Sequence, residues 1–99
     1  MHSIEEKKTR VVNINYELCE VYIGRPSMFG NPFPISREIT RDEAILKFAA
    51  YFERRIKEDK EFRDAVHSLK GKVLGCYCKP KACHGDYIAS YLDNRPKLS

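Results

Sequence analysis

The chain has no apolar run near the roughly 20 consecutive residues that a membrane-spanning helix needs. Its opening stretch, Met1-His2-Ser3-Ile4-Glu5-Glu6, lacks the apolar core of a secretory leader. No membrane partner is therefore expected, and the cytoplasm is the expected location. Charge of one sign is scarce too: 18 Lys and Arg stand against 14 Asp and Glu, for a net +4. That mild balance signals a general nucleic-acid surface only weakly, leaving nucleic acid as a possible partner and no more. Ninety-nine residues leave no room for a second core. A chain of this length buries about 65% of its unfolded surface, so a metal or a partner would add usefully to its stability. The Cys-x-x-Cys spacing of a familiar zinc knuckle is also missing.

What the sequence does have is a dense cluster: Gly75-Cys76-Tyr77-Cys78-Lys79-Pro80-Lys81-Ala82-Cys83-His84-Gly85-Asp86. It holds three of the four cysteines and one of the three histidines. Cytoplasmic cysteines are expected to be reduced. Cys76 and Cys78, so close along an extended strand, would point the same way about 7 Å apart, a geometry that does not pair easily. Lys72-Val73-Leu74 before the cluster reads as a buried strand and Tyr87 to Leu92 after it as a helix. The cluster thus falls where a strand ends and a helix starts, where ligands gather in α/β folds.

In chain order, residues 1–9 are polar and expected to fray, 10–94 form a single α/β domain, and 95–99 are a tail. Arg10 to Ile14 is a β-branched run and a first strand, and Glu20 to Ile23 a second, close enough for an antiparallel hairpin. Cys19 between them reads as a small buried hydrophobe. The segment Gly24-Arg25-Pro26-Ser27-Met28-Phe29-Gly30-Asn31-Pro32-Phe33-Pro34 holds two of the five glycines and three of the five prolines. Met28, Phe29 and Phe33 are too apolar for a solvated connector. It reads as a binding loop carrying Arg25, Ser27 and Asn31, or else as a rigid lid present only for packing. Thr40 and Glu43 form a capping box that opens a helix with the stripe Ile45, Phe48, Ala49, Phe52, Ile56. Asp59 caps a second helix with Phe62, Ala65, Val66 and Leu69 inward and His67 at its boundary. Gly71 ends it. The third strand spans Val73 to Tyr77, and the last helix spans 84–93 with Ile88, Tyr91 and Leu92 facing inward. The order β-β-α-α-β-α gives an α/β fold with a small mixed three-stranded sheet. The helical crossover makes the second and third strands parallel, so their exit loops open on one edge. The sheet's open edges allow a homodimer.

Three chemistries suit the cluster. Cys76, Cys78, Cys83 and His84 supply a Cys3His set for zinc, although adjacent residues such as Cys83 and His84 seldom reach one ion together. A three-ligand variant would leave an open, catalytic position. Alternatively, Cys83 near a helix N-terminus, beside Lys79, Lys81 and His84, is a candidate reactive thiolate with His84 or Asp86 as base or orienting group. Third, the helix start with Lys79, Lys81 and Arg25 could hold a phosphate, although Asp86 competes for the same positive end. The bland reading is that the cysteines only pack and cap.

The motifs Val21-Tyr22-Ile23-Gly24-Arg25-Pro26-Ser27, Gly30-Asn31-Pro32-Phe33, Leu74 to Pro80 and Cys83-His84-Gly85-Asp86 resemble a family of small domains of unknown function found in bacteria and their viruses. The likeness covers roughly residues 10–93. Phe29 stands where the family usually has tryptophan, and Tyr77 is a further mild departure. The resemblance supports the fold and the pairing of the two motifs, makes a viral source and host cytoplasm plausible, and assigns no reaction. The combined expectation is a zinc-binding pocket protein. Its ligand is a phosphate-bearing small molecule such as a nucleotide, met by Arg25, Ser27, Asn31 and Lys79, and Cys83, His84 and Asp86 are candidates for any hydrolysis or group transfer. The competing expectation is a non-catalytic binding module, for a host protein or nucleic acid, in which the cluster is a structural staple.

Overall fold

The computed structural model describes residues 8–94; residues 1–7 of the lead-in expected to fray and the tail at 95–99 lie outside the described residues, whereas Thr9, also expected to fray, is buried. The element order is β1 (Arg10–Asn13), β2 (Val21–Tyr22), α1 (Arg41–Glu58), α2 (Lys60–His67), β3 (Val73–Cys76) and α3 (His84–Asn94), a mixed α/β fold with a small sheet and three helices.

The sheet order is β1-β3-β2, and both outer strands run parallel to β3. Val11 and Val21 flank Leu74 at the same level, as Val12 and Tyr22 flank Gly75. The expected antiparallel hairpin of the first two strands, and with it the mixed sheet, is therefore corrected: β3 inserts between them and the sheet is wholly parallel. Parallel strands normally need a crossover of a dozen or more residues. Here residues 14–20 suffice because they lie directly on β3. The Ile14 amide donates to the Cys76 carbonyl at 3.0 Å, and the Glu20 amide donates to the Val73 carbonyl at 2.7 Å. Gly75 makes the passage possible. A Cβ there would lie 2.5 Å from Ile14 Cγ2 and 2.8 Å from Cys19 Cβ, and would overlap Cys19 Sγ. Cys19, expected to be a buried small hydrophobe, is half-buried on that glycine.

The capping box forms as expected. The Glu43 amide donates to Thr40 Oγ1 at 3.1 Å and the Thr40 amide to Glu43 Oε1 at 2.9 Å. The buried face of α1 is Ala44, Phe48, Phe52 and Ile56, with Ile45 and Ala49 half-buried at its margins. Asp59 caps α2 by accepting from the Phe62 amide at 3.0 Å. The core joins these helices to the sheet through Phe48, Phe52, Phe62, Ile23, Leu74 and Ile88, all essentially inaccessible. Phe52 lies at its centre, with the rings of Phe48, Phe62, Tyr87 and Tyr91 within 5.1–5.7 Å. Thr9 is buried as well: its backbone and hydroxyl both donate to Asp93, at 2.9 and 2.7 Å, which ties the start of the folded chain to α3. No described helix is long and apolar enough to cross a membrane.

Candidate metal and ligand site

Because β2 and β3 are parallel, the loops leaving them emerge on the same edge of the sheet, where α/β folds place ligands. They enclose a cleft of about 420 Å³, closed on a third side by the first turns of α1. Its wall includes Arg25, Asn31 and Phe33 from the first loop, Arg41 from α1, and Cys76, Cys78 and Cys83 from the second. That volume lies within the range of small-molecule sites.

The first loop is a frame built from its own motif. The Ser27 amide donates to the Gly24 carbonyl at 2.8 Å and the Gly30 amide to the Ser27 carbonyl at 3.0 Å, giving two consecutive turns. Tyr22 folds its hydroxyl back onto the Arg25 carbonyl at 3.0 Å. Gly30 must lack a side chain, since a Cβ would stand 2.9 Å from Arg25 Cγ and 3.0 Å from the Arg25 amide nitrogen. Asn31 accepts from the Phe33 amide at 2.9 Å and donates to the Ala44 carbonyl at 3.2 Å, which pins the loop to α1. Ser27 Oγ accepts from the Phe29 amide at 3.3 Å and does not line the cleft. Of the residues expected to bind ligand here, Arg25 presents an exposed side chain to the cleft; Asn31 also lines it but bonds the loop and α1, and Ser27 bonds within the loop.

The second loop brings three thiols together. The sulfurs of Cys76, Cys78 and Cys83 all lie within 4.8 Å of one another. Tetrahedral zinc with Zn–S bonds of about 2.3 Å sets its sulfurs about 3.8 Å apart, so this spacing suits such a set. Cys76 and Cys83 are buried and Cys78 is half-buried. Cys76 Sγ lies 3.3 Å from Cys83 Sγ and also accepts from the Cys78 amide at 3.4 Å. The Cys83 hydrogen bond, with the Cys78 and Lys79 amides, holds the Cys76 thiol well below its usual range, while the same contact and burial push Cys83 well above its own. One proton shared between the two sulfurs produces both shifts, because the bond stabilises one thiolate while keeping its neighbour protonated. Cys83 also stands just ahead of α3, where its sulfur accepts from the Gly85 amide at 3.3 Å, as a serine hydroxyl would at a helix start.

His84, expected as a fourth ligand, is outside the three-sulfur group. Its Nε2 donates to the Ile23 carbonyl at 2.8 Å, its ring meets Phe48 edge-on at 5.1 Å, and burial lowers its pKa. It ties β2 to α3 and holds a neutral ring at the back of the cleft. Lys79 is paired with Asp86 at 2.9 Å, the main reason its pKa rises, and it is not a cleft residue. Asp86 further accepts from the Cys83 amide at 3.2 Å. The helix start proposed for an anion is thus already occupied by the chain's own carboxylate. Arg41 went unnoticed at the sequence level because its position reads as ordinary helix start. It lines the cleft and donates to the Ala82 carbonyl at 3.1 Å, linking α1 to the cysteine loop. A sequence signal existed: a cation sits in the first turn of α1, where the helix dipole favours acids.

No solved structure matches the chain. An uncharacterized 12.4 kDa protein in the nrdA-td intergenic region of Enterobacteria phage T4 is 41% identical over 81 residues, covering 81% of this chain and 73% of the phage protein. The family model for a domain of unknown function, DUF4326, matches residues 4–94, and the chain belongs to that family.

Proposed function

We propose that the protein is a zinc-thiolate pocket protein of the cytoplasm, the host's cytoplasm where the carrier is a phage. Cys76, Cys78 and Cys83 hold the metal in the wall of the cleft, and a phosphate-bearing small molecule such as a nucleotide occupies the space in front of it. The observation that carries this reading is the convergence of three sulfurs within 4.8 Å on the wall of a cleft that also presents Arg25. Three protein ligands leave one coordination position, the arrangement of reactive rather than closed structural zinc. Bound there, zinc would act as a Lewis acid toward hydrolysis or group transfer. The chain's own residues contribute orientation: the loop from Gly24 to Pro34 sets Arg25, and His84 fixes β2 against α3. A second reading, a binding module with the cluster as a staple, draws support from the burial of Cys76 and Cys83 to 2% and 3% within the core.

Elemental analysis and native mass spectrometry of protein purified without a metal-affinity resin test the proposal. About one zinc per chain is expected, removable by chelator with a fall in melting temperature. Cys78→Ser should lower zinc occupancy; full occupancy and unchanged stability in that variant would refute the ligand set. Arg25→Ala separates the two readings. In the pocket protein it keeps zinc and fold but weakens nucleotide binding, whereas in the staple module the unsubstituted protein binds no nucleotide at all.

A further inference from the structure

Apart from the cysteine sulfurs, the charged side chains on the cleft wall are both arginines. Two guanidinium groups, Arg25 and Arg41, line it, and no aspartate or glutamate does. Among the described residues neither arginine is ion-paired with a carboxylate; the recorded partner of Arg41 is the neutral Ala82 carbonyl. The surrounding helix makes this arrangement costly. Arg41 opens α1, whose exposed amides already carry partial positive charge, and a cation there opposes the dipole. Asp42 and Glu43 follow it in the same turn, yet neither lines the cleft, while Arg41 does.

We infer that Arg25 and Arg41 form a two-guanidinium clamp for the phosphates of a nucleoside diphosphate, bound with its apolar portion along Phe33 and Ile45. This inference rests on the pocket reading above and adds to it the residue and the charge state of the ligand. Arginine forks match phosphate oxygens two at a time, and two forks from different walls suit a group with more than one phosphate. Phe33 and Ile45 supply apolar surface on the same cleft. The link to Ala82 also gives the clamp a mechanical tie to the cysteine loop, so occupancy of the anion site and the position of Cys83 are coupled through one side chain.

A rival role for Arg41 is purely internal: three thiolates around a zinc dication carry one net negative charge, and arginine could simply balance it. Calorimetric titration of the full zinc-loaded chain with ADP, AMP and adenosine distinguishes these roles. The clamp predicts affinity rising from adenosine to AMP to ADP. Arg41→Ala should then lose about tenfold or more in ADP affinity while keeping its zinc, and Arg41→Lys should recover part of it. Lys47→Ala, an exposed position on the same helix outside the cleft, should bind as the wild type does. Equal ADP affinity in Arg41→Ala, affinity independent of phosphate number, or no ADP binding by the wild type at millimolar concentration would each overturn the clamp. Loss of zinc from Arg41→Ala with unchanged ADP affinity would overturn it in favour of charge balance. Zinc content is read on the same samples. A zinc-free wild type that still binds ADP through Arg41 would sink the metal reading and leave the clamp standing.

Discussion

Gly75→Ala tests the most unusual feature of the fold, a seven-residue parallel crossover resting on the central strand. The added methyl would sit 2.5 Å from Ile14 Cγ2 and 2.8 Å from Cys19 Cβ, well inside the 3.5–4.0 Å of ordinary carbon contact. Neither neighbour can withdraw freely, because the crossover is bonded to β3 on both sides, through Ile14 to Cys76 and through Glu20 to Val73. The chain must either lift the crossover and lose those bonds or shift the strand that carries Cys76. Overpacking of this kind costs about 2–3 kcal/mol. Total stability for such a domain is about 5–15 kcal/mol, so the loss is a large share. In a domain of this size it corresponds to a fall in melting temperature of about 8–24 °C. Thermal and urea unfolding measure it directly. A cycle with Cys19→Gly locates the cause: removing the Cys19 side chain should recover part of the loss, with a coupling of about 1 kcal/mol. A Gly75→Ala protein melting within about 2 °C of wild type, or a cycle without coupling, would refute the crossover. An antiparallel hairpin of the first two strands would leave Gly75 free of Ile14 and Cys19 and would give that null result.

Asn31→Ala should destabilise the fold by about 1–2 kcal/mol in urea unfolding, since it removes the bonds to Phe33 and Ala44; an unchanged midpoint would show that the loop does not depend on them. In metal-free protein carrying Cys19→Ser and Cys78→Ser, which leaves only the Cys76–Cys83 pair, thiolate absorbance near 240 nm should gain one thiolate with a midpoint near pH 5, the value to which Cys76 is lowered, and the second only at strongly alkaline pH. Between that midpoint and the ordinary thiol range near 9.0, the unfolded chain holds two protons on the pair and the native chain one, so stability rises with pH. Above that range the unfolded chain holds none, and stability falls. Two thiolates appearing together near pH 9 would show that Cys76 and Cys83 do not share a proton.

The sequence alone was enough for the element order, the capping box at Thr40, the helix stripes and the position of the site. Each of these follows from short-range periodicity or from which residues fill a turn, and such information survives without knowing what lies across the fold. The meeting of the two motif loops was also readable, because parallel strands must release their chains at the same edge. Tertiary structure alone decided the strand order. Two adjacent β segments signal a hairpin locally, and only the fit of Ile14 and Cys19 over Gly75, 61 and 56 residues away in sequence, shows that β3 inserts between them. It likewise divided the cluster's labour. Spacing could not tell that His84 would be spent on the Ile23 carbonyl and Lys79 on Asp86, leaving three thiols together. Nor could spacing bring Arg41 to the cleft, because the wall it completes is made by a helix packing across the sheet's edge, and a side chain's role there depends on what stands opposite it.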